Sequence, residues 1–310
     1  MNDPANKETV GDDLSRRRPL RKTALRSIAA LPTIVTLMNG TAGFASVHYA
    51  TKTGLGNTGG IGNLMIASWL IFAALLFDAL DGRVARMTRR ATDFGALLDS
   101  LCDIISFGVA PAILMVHAVA MTREIPDFEI FASQASHLGK AVMVIAVIYL
   151  CCSILRLARF TVENAPDLLH HMYFKGLPSP AAAVLVAAMV LLFGHIQNVE
   201  EGLKSARWLN ITVGVALPAA TLAVAILMVT RFRYPHLVNR FVIGRKPFSH
   251  IVLAVGAIAS VLMFGQFALP LAAITYAASG PVAALWEKSK LSGKIRNSGR
   301  RPAVWPQSKT

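Results

Sequence analysis

The sequence predicts an all-α protein, a polytopic bundle of transmembrane helices, and three observations carry that prediction. Of the 310 residues, 54% are hydrophobic and only 15% are charged, with a mean hydropathy of +0.52; a soluble domain of this size would carry about 25% charged residues. Charge is almost absent from a series of apolar runs of roughly 17–24 residues, the length needed to cross ~30 Å of hydrocarbon as helix. Lys and Arg collect at the ends of those runs and in the two tails. Lipid offers the backbone no hydrogen bonds, so each run must satisfy its own as a helix.

Taken in order, residues 1–27 form a basic segment that reads as flexible, with Arg16, Arg17, Arg18, Arg21, Lys22 and Arg26. A basic segment ahead of an apolar run can mimic a signal peptide, but many runs follow, so the first reads as a span. About eight spans are expected, near residues 28–50, 61–82, 96–120, 139–160, 177–196, 209–230, 249–266 and 268–286. The first six make a six-helix catalytic core within a membrane domain at 28–240. Residues 241–287 add two further C-terminal helices, and 288–310 form a second basic, flexible tail. No internal repeat is visible.

The links alternate in charge. The N-terminus, the second-to-third link (Arg83, Arg86, Arg89, Arg90), the fourth-to-fifth link (Arg156, Arg159, Lys175), the sixth-to-seventh link and the C-terminus are all basic, and the intervening links are poorer. An even number of spans with both termini in the cytoplasm satisfies the positive-inside rule, and a bacterial cytoplasmic membrane is the expected location. The net charge of +14 therefore points to anionic lipid headgroups and not to nucleic acid. Cys102, Cys151 and Cys152 lack metal-ligand spacing and read as small buried hydrophobes.

Four aspartates, Asp78, Asp81, Asp99 and Asp103, fall at membrane-embedded helix ends. A charge at the membrane centre costs on the order of 2.5–3.5 kcal/mol, less near an end, and four together call for a counter-charge. A helix advances ~100° per residue, so Asp78, Asp81, Gly82 and Ala85 share one side of the second span, and Gly95, Asp99 and Asp103 one face of the third. A short basic link packs these helices antiparallel with their carboxylates opposed. Hard oxygen ligands favour Mg²⁺ or Mn²⁺, with Ca²⁺ also possible, and two ions roughly 3.5–4 Å apart suit phosphoryl-type displacement. Gly82 and Gly95 let a diphosphate approach the backbone, and Arg86 can fork onto phosphate oxygens. The bland alternative is a solvated, salt-bridged helix end; that reading fits any one aspartate better than all four in this register.

The run Asp78-x2-Asp81-Gly82-x2-Ala85-Arg86-x8-Gly95-x3-Asp99-x3-Asp103 resembles, position for position, the signature of the CDP-alcohol phosphotransferase family. The resemblance implies a dimetal site in which Asp78, Asp81 and Asp99 ligate metal and Asp103 completes the second site. Asp103 would also be the base that deprotonates the acceptor hydroxyl. Gly82, Ala85, Arg86 and Gly95 would hold the CDP group. The stretches around these aspartates, Arg156-Leu157-Ala158-Arg159-Phe160, Phe174-Lys175-Gly176-Leu177-Pro178-Ser179-Pro180 and Arg233-Tyr234-Pro235 are similar to the phosphatidylserine synthases within that family. This implies CDP-diacylglycerol and L-serine as substrates, and a homodimer, since members are often dimers. The family's Pro-Asn near the start of the first span is here Pro32-Thr33, which leaves Thr36 and Asn39 as nucleotide or phosphate contacts. Thr161 replaces the usual Asn after the Arg-Leu-Ala-Arg-Phe run.

The expected mechanism is direct attack of the serine hydroxyl on the β-phosphorus, because the motif offers no Ser, Cys or His as covalent nucleophile. Arg156, Arg159 and Lys175 lie on the basic side and are candidates for the serine carboxylate. His170 and His171 read as surface residues. Sister acceptors (glycerol phosphate, inositol phosphate, choline), a transporter and a non-catalytic lipid scaffold are the competing readings. A transporter predicts acids near the midplane and a repeated architecture, which the clustered acids here do not match.

Overall fold

The computed structural model describes residues 32–52, 60–88, 93–123, 132–163, 174–199, 207–230, 233–234, 267–283 and 286. Helix α1 covers residues 32–51, followed by α2 (Gly60–Thr88), α3 (Asp93–Asp103), α4 (Ala110–Arg123), α5 (Ala132–Glu163), α6 (Ser179–Val199), α7 (Arg207–Val229) and α8 (Phe267–Ala283). A π-helical segment, Ile104–Val109, joins α3 to α4 in one continuous column. Among the described residues, four columns are long and apolar enough to cross a membrane: Gly60–Arg83, Phe94–Thr122, Gly139–Thr161 and Ser179–Gln197. They fit an integral membrane protein. Large apolar side chains such as Leu76, Leu101, Met143 and Leu155 point outward, as a lipid-facing surface requires. The predicted span at 249–266, both basic tails, and His170 and His171 lie outside the described residues.

Two features depart from a simple row of helices. The predicted third span is a helix with a π turn in its middle. The predicted link before α6 also contains a strand, β1 (Phe174–Lys175), which pairs antiparallel with β2 (Arg233–Tyr234), Phe174 opposite Tyr234 and Lys175 opposite Arg233. Gly176 makes the turn from β1 toward α6 with a φ of 96°. A side chain there would run into the Met228 carbonyl, so glycine is required both for its backbone angle and for the space. Leu177 N–H then donates to the Leu227 carbonyl at 3.1 Å. The start of α6 is thereby tied to the end of α7. Pro180 sits in the first turn of α6, where its missing N–H costs nothing.

The core is built by α5 packing on α7 and α2 on α6, with the π segment touching α2, α3, α4, α5 and α6. Tyr149, Phe107, Phe193, Leu114 and Met115 are fully buried. Between membrane helices there is little hydrophobic drive, so close backbone approach and interhelical hydrogen bonds do the binding. Ser46 of α1 donates to the Ala67 carbonyl of α2 at 2.8 Å. At Gly43 a Cβ would lie 2.6 Å from the Ser106 Cα, so α1 presses directly on the π segment. α8 docks on the same body. Ala273 and Ala277 are buried in the common core, and Phe267 meets His195 of α6 edge-on at 6.1 Å.

The contact at Gly43 predicts a graded cost. Gly43→Ala should destabilise the folded protein by about 1–3 kcal/mol, as overpacking does, read as a lowered thermal midpoint in detergent. Gly62→Ala, where a Cβ would meet nothing within 4 Å, should stay within about 0.5 kcal/mol.

Candidate active site

The second half of α2, with Asp78 and Asp81, and the second half of α3, with Asp99 and Asp103, bring their acidic residues together. One carboxylate oxygen from each of Asp78, Asp99 and Asp103 lies within 4.8 Å of the others. Asp81 joins through Asp99, the two carboxylates lying at hydrogen-bonding distance. Two ionised carboxylates have no proton to donate to each other, so such proximity requires a shared proton or a cation. At 4.8 Å and an effective dielectric of about 20, each pair of unit charges repels by about 3.5 kcal/mol. Three such pairs come to about 10 kcal/mol, as large as the whole stability of a typical fold, which is about 5–15 kcal/mol.

The donor set fits a divalent cation. Asp81 Oδ2 and Asp99 Oδ1 are buried and lack a hydrogen-bond partner among the described residues, and a buried polar atom left unpaired costs about 1–3 kcal/mol. All the ligand atoms are carboxylate oxygens, the donors preferred by hard ions.

α1 closes one side of the cluster. Asn39, fully buried, donates from Nδ2 to Asp103 Oδ1 at 2.9 Å. Only the amide nitrogen can bond an ionised carboxylate, which sets the sense of the side chain. Ser106 of the π segment donates to the Asn39 carbonyl at 2.9 Å. The π turn therefore begins directly after Asp103, and its first buried residue grips the helix that holds that aspartate. π turns are frequent at functional sites. Tyr149 locks the turn from the other side by donating to the Phe107 carbonyl at 2.9 Å. Thr36, also buried, donates to the Pro32 carbonyl at 3.0 Å and lies within hydrogen-bonding reach of Asp81. Thr36 and Asn39, expected as nucleotide contacts, stand beside the acidic cluster, and Asn39 Oδ1 stays unbonded among the described residues.

On the remaining sequence-predicted positions the structure is specific in part. Nothing stands within 4 Å of the place a Gly82 Cβ would occupy. No described neighbour requires glycine there, and the open space abuts Asp81. Gly95 lies half-buried one turn before Asp99, and Ala85 and Arg86 continue α2 past Gly82; the side chains of Ala85 and Arg86 are outside the described residues. Arg156 of α5 is half-buried and within electrostatic range of both Asp78 and Asp103, and its guanidinium donates to Ser179 Oγ at 2.7 Å. Arg159 follows one turn later, half-buried. Lys175 enters through its backbone in β1, its side chain outside the described residues.

Sequence reasoning missed Ser106, Tyr149 and Ser179, which orient Asn39, the π turn and Arg156 respectively. Ser179 stood inside a noted motif, but nothing in the spacing paired it with Arg156, 23 positions away.

Comparison with known proteins adds the following. A family model described as CDP-alcohol phosphatidyltransferase matches residues 29–227. The chain is 32% identical over 206 residues to a CDP-diacylglycerol–serine O-phosphatidyltransferase of Helicobacter pylori, covering 66% of this chain and 71% of that one. It is 31% identical over 217 residues to the protein of the same name from Methanocaldococcus jannaschii, covering 70% and 84%. It is 32% identical over 213 residues to an archaetidylserine synthase of Methanothermobacter thermautotrophicus, covering 68% and 72%.

A cluster held apart by its own repulsion should be stabilised by what relieves it. Mn²⁺ or Mg²⁺ at about 100 times its Kd should add about 2.7 kcal/mol to stability, seen as a raised thermal midpoint that a chelator reverses. Asp99→Asn should remove most of the shift.

Proposed function

This chain belongs to the CDP-alcohol phosphatidyltransferase family, and on that basis we propose that it transfers the phosphatidyl group of CDP-diacylglycerol to L-serine, releasing phosphatidylserine and CMP. The observation that carries the reading is the convergence of Asp78, Asp99 and Asp103 within 4.8 Å, in a chain whose matched relatives include enzymes named for serine transfer.

Asp78, Asp81, Asp99 and Asp103 would hold the metal, read as two ions of Mg²⁺ or Mn²⁺. When bound, the metal supplies positive charge to the diphosphate and to the leaving CMP. Gly82 and Gly95 leave room for the nucleotide diphosphate, with Ala85, Arg86, Thr36 and Asn39 around it. Asp103 removes the proton of the serine hydroxyl. The hydroxyl oxygen bonds to the β-phosphorus, which carries diacylglycerol, and the bond from that phosphorus to the bridging oxygen breaks. CMP leaves with that oxygen. A positioned base contributes roughly 10²–10⁴-fold; orientation and charge stabilisation supply the rest.

Serine places two demands on the site at once. Its hydroxyl and carboxylate are separated by only two carbons, so the base and the anion-binding group must be neighbours. Arg156 meets this demand, being in electrostatic range of Asp103, and a guanidinium matches a carboxylate in two-pronged geometry. Arg159 and Lys175 stand as outer cations of the same side.

The wider reading places about eight spans in a bacterial cytoplasmic membrane, with the site and both termini facing the cytoplasm and anionic lipids against the basic links. Residues 28–240 form the catalytic domain with its six-helix core, 241–287 two added helices, and 1–27 and 288–310 basic tails. A homodimer is the proposed assembly.

Purified protein given CDP-diacylglycerol and labelled serine should release CMP and form labelled phosphatidylserine only with added Mg²⁺ or Mn²⁺. Asp103→Asn should lower kcat by roughly 10²–10⁴-fold with little change in fold. CMP release that depends on glycerol phosphate, inositol phosphate or choline, and not on serine, would overturn the acceptor.

A further inference from the structure

Half of the Asn39 amide is unused. Its Nδ2 donates to Asp103 Oδ1 at 2.9 Å, while its Oδ1 is buried and has no hydrogen-bond partner among the described residues. The whole residue has no exposed surface. A buried polar atom without a partner is costly, and in a native fold it calls for a reason.

The side chain cannot relieve itself by turning. Half a turn of the amide would set Oδ1 against Asp103 Oδ1, two acceptors face to face. Helix α1 cannot draw back either. A Cβ at Gly40 would lie 2.9 Å from Cys102 Sγ, and one at Gly43 would lie 2.6 Å from the Ser106 Cα. α1 therefore rests on α3 and the π segment with no layer of side chain between them. Ser106 Oγ also holds the Asn39 backbone carbonyl at 2.9 Å. Packing and two hydrogen bonds together fix the amide beside Asp103.

A group that satisfies this oxygen must bring a proton to donate or a positive charge. A diphosphate standing nearby brings neither, since its oxygens are acceptors. The amide oxygen shares its carbon with the nitrogen that grips Asp103, so the donor it takes lies next to whatever Asp103 engages. With Asp103 as the base, that is the acceptor hydroxyl. In serine the ammonium sits on the carbon adjacent to the one bearing the hydroxyl. It can meet the amide while the hydroxyl meets the carboxylate. Asp103 is half-buried, so the acceptor reaches the amide from the carboxylate's side. An ammonium on an amide oxygen makes a charge-assisted hydrogen bond and adds no further negative charge to the crowded acids.

We propose that Asn39 Oδ1 receives the ammonium group of the acceptor, which makes Asn39 a specificity-determining residue for amino alcohols. The proposal rests on the reading of serine as the acceptor and Asp103 as its base.

Full-length enzyme in detergent micelles tests it with two acceptors, L-serine and 3-hydroxypropanoate. The second keeps the hydroxyl and the carboxylate and lacks the ammonium. Asn39→Ala removes both halves of the amide. Loss of the bond to Asp103 slows both acceptors alike, so the ratio of their kcat/KM values isolates the ammonium contact. The parent enzyme should prefer serine, and Asn39→Ala should reduce that preference roughly 10–150-fold, the scale of one hydrogen bond to a charged group. KM for CDP-diacylglycerol and the thermal shift given by Mn²⁺ should be unchanged. Where 3-hydroxypropanoate binds without turnover, its Ki relative to the KM for serine gives the same reading. If Asn39→Ala does not fold, Asn39→Ser takes its place, because a helical serine bonds back to the carbonyl one turn earlier and withdraws the acceptor. A preference for serine that is absent in the parent or unchanged in the variant overturns the proposal, as does outright rejection of 3-hydroxypropanoate by both proteins. Loss of the Mn²⁺ shift would make Oδ1 a metal ligand, and a raised KM for CDP-diacylglycerol with unchanged preference would make it a nucleotide contact; either result overturns it. If the parent does not use serine at all, the acceptor reading fails first and takes the proposal with it. If serine is used and Asn39→Ala keeps the full preference, the proposal fails alone.

Discussion

Mutual repulsion among carboxylates inside a membrane is the constraint from which the rest of this structure follows. Asp78, Asp99 and Asp103 stand within 4.8 Å of one another, with Asp81 against Asp99. No helix pair would hold that arrangement on packing alone. The surrounding parts make sense as devices that keep the carboxylates together until a cation joins them. α1 presses on the π segment through Gly43, Asn39 takes one oxygen of Asp103, and Ser106 fixes Asn39 in turn. Gly43 permits the close approach, Asn39 donates to a carboxylate, and Ser106 ties the backbone of Asn39 to the π segment.

The same physics separates the two sides of the site. The carboxylates make one side strongly negative and form the donor set that a hard cation prefers. Arg156 is the opposite pole, held by Ser179 and within range of two of the aspartates. A site with a negative and a positive pole this close suits an acceptor that carries a hydroxyl and a carboxylate on adjacent carbons. An acceptor without an anionic group would leave the arginine unmatched, at the cost that any desolvated charge carries without a partner.

Much of this was legible in the residues. The helical columns follow from hydropathy, because lipid permits no other backbone arrangement. The aspartate register follows from steps of three and four, and the opposition of the two faces from a short basic link. What was not legible depended on tertiary contact. Nothing in Ile104–Val109 distinguishes a π turn from an α turn, since the extra residue is stabilised by Ser106 and Tyr149 reaching other helices. The β pair joins Phe174 to Tyr234 and Lys175 to Arg233 across a long stretch of chain, and its strands are too short for periodicity. The bond from Asn39 to Asp103 was not legible, because the two lie 64 positions apart. α8 was read as an appendage because its apolar composition says it is a span but not what it packs against.

The two helices that carry the aspartates also solve a problem set by the lipid donor. A nucleotide-linked lipid has one end that belongs in water and another that belongs in hydrocarbon, so its scissile phosphate must be met where the two solvents adjoin. Helical periodicity supplies that junction without any further element. Leu80 lies between Asp78 and Asp81 and is exposed, and Leu101 lies between Asp99 and Asp103 and is more exposed still. Within a single turn each helix turns a carboxylate inward and a leucine outward. Acyl chains can therefore remain against the outer face while the diphosphate enters between the helices beside Gly82, where no described neighbour intrudes. A site buried at the centre of the bundle would force the acyl chains through the protein, and one on an extramembrane domain would draw them into water. Placing the acids at one end of lipid-facing helices avoids both costs.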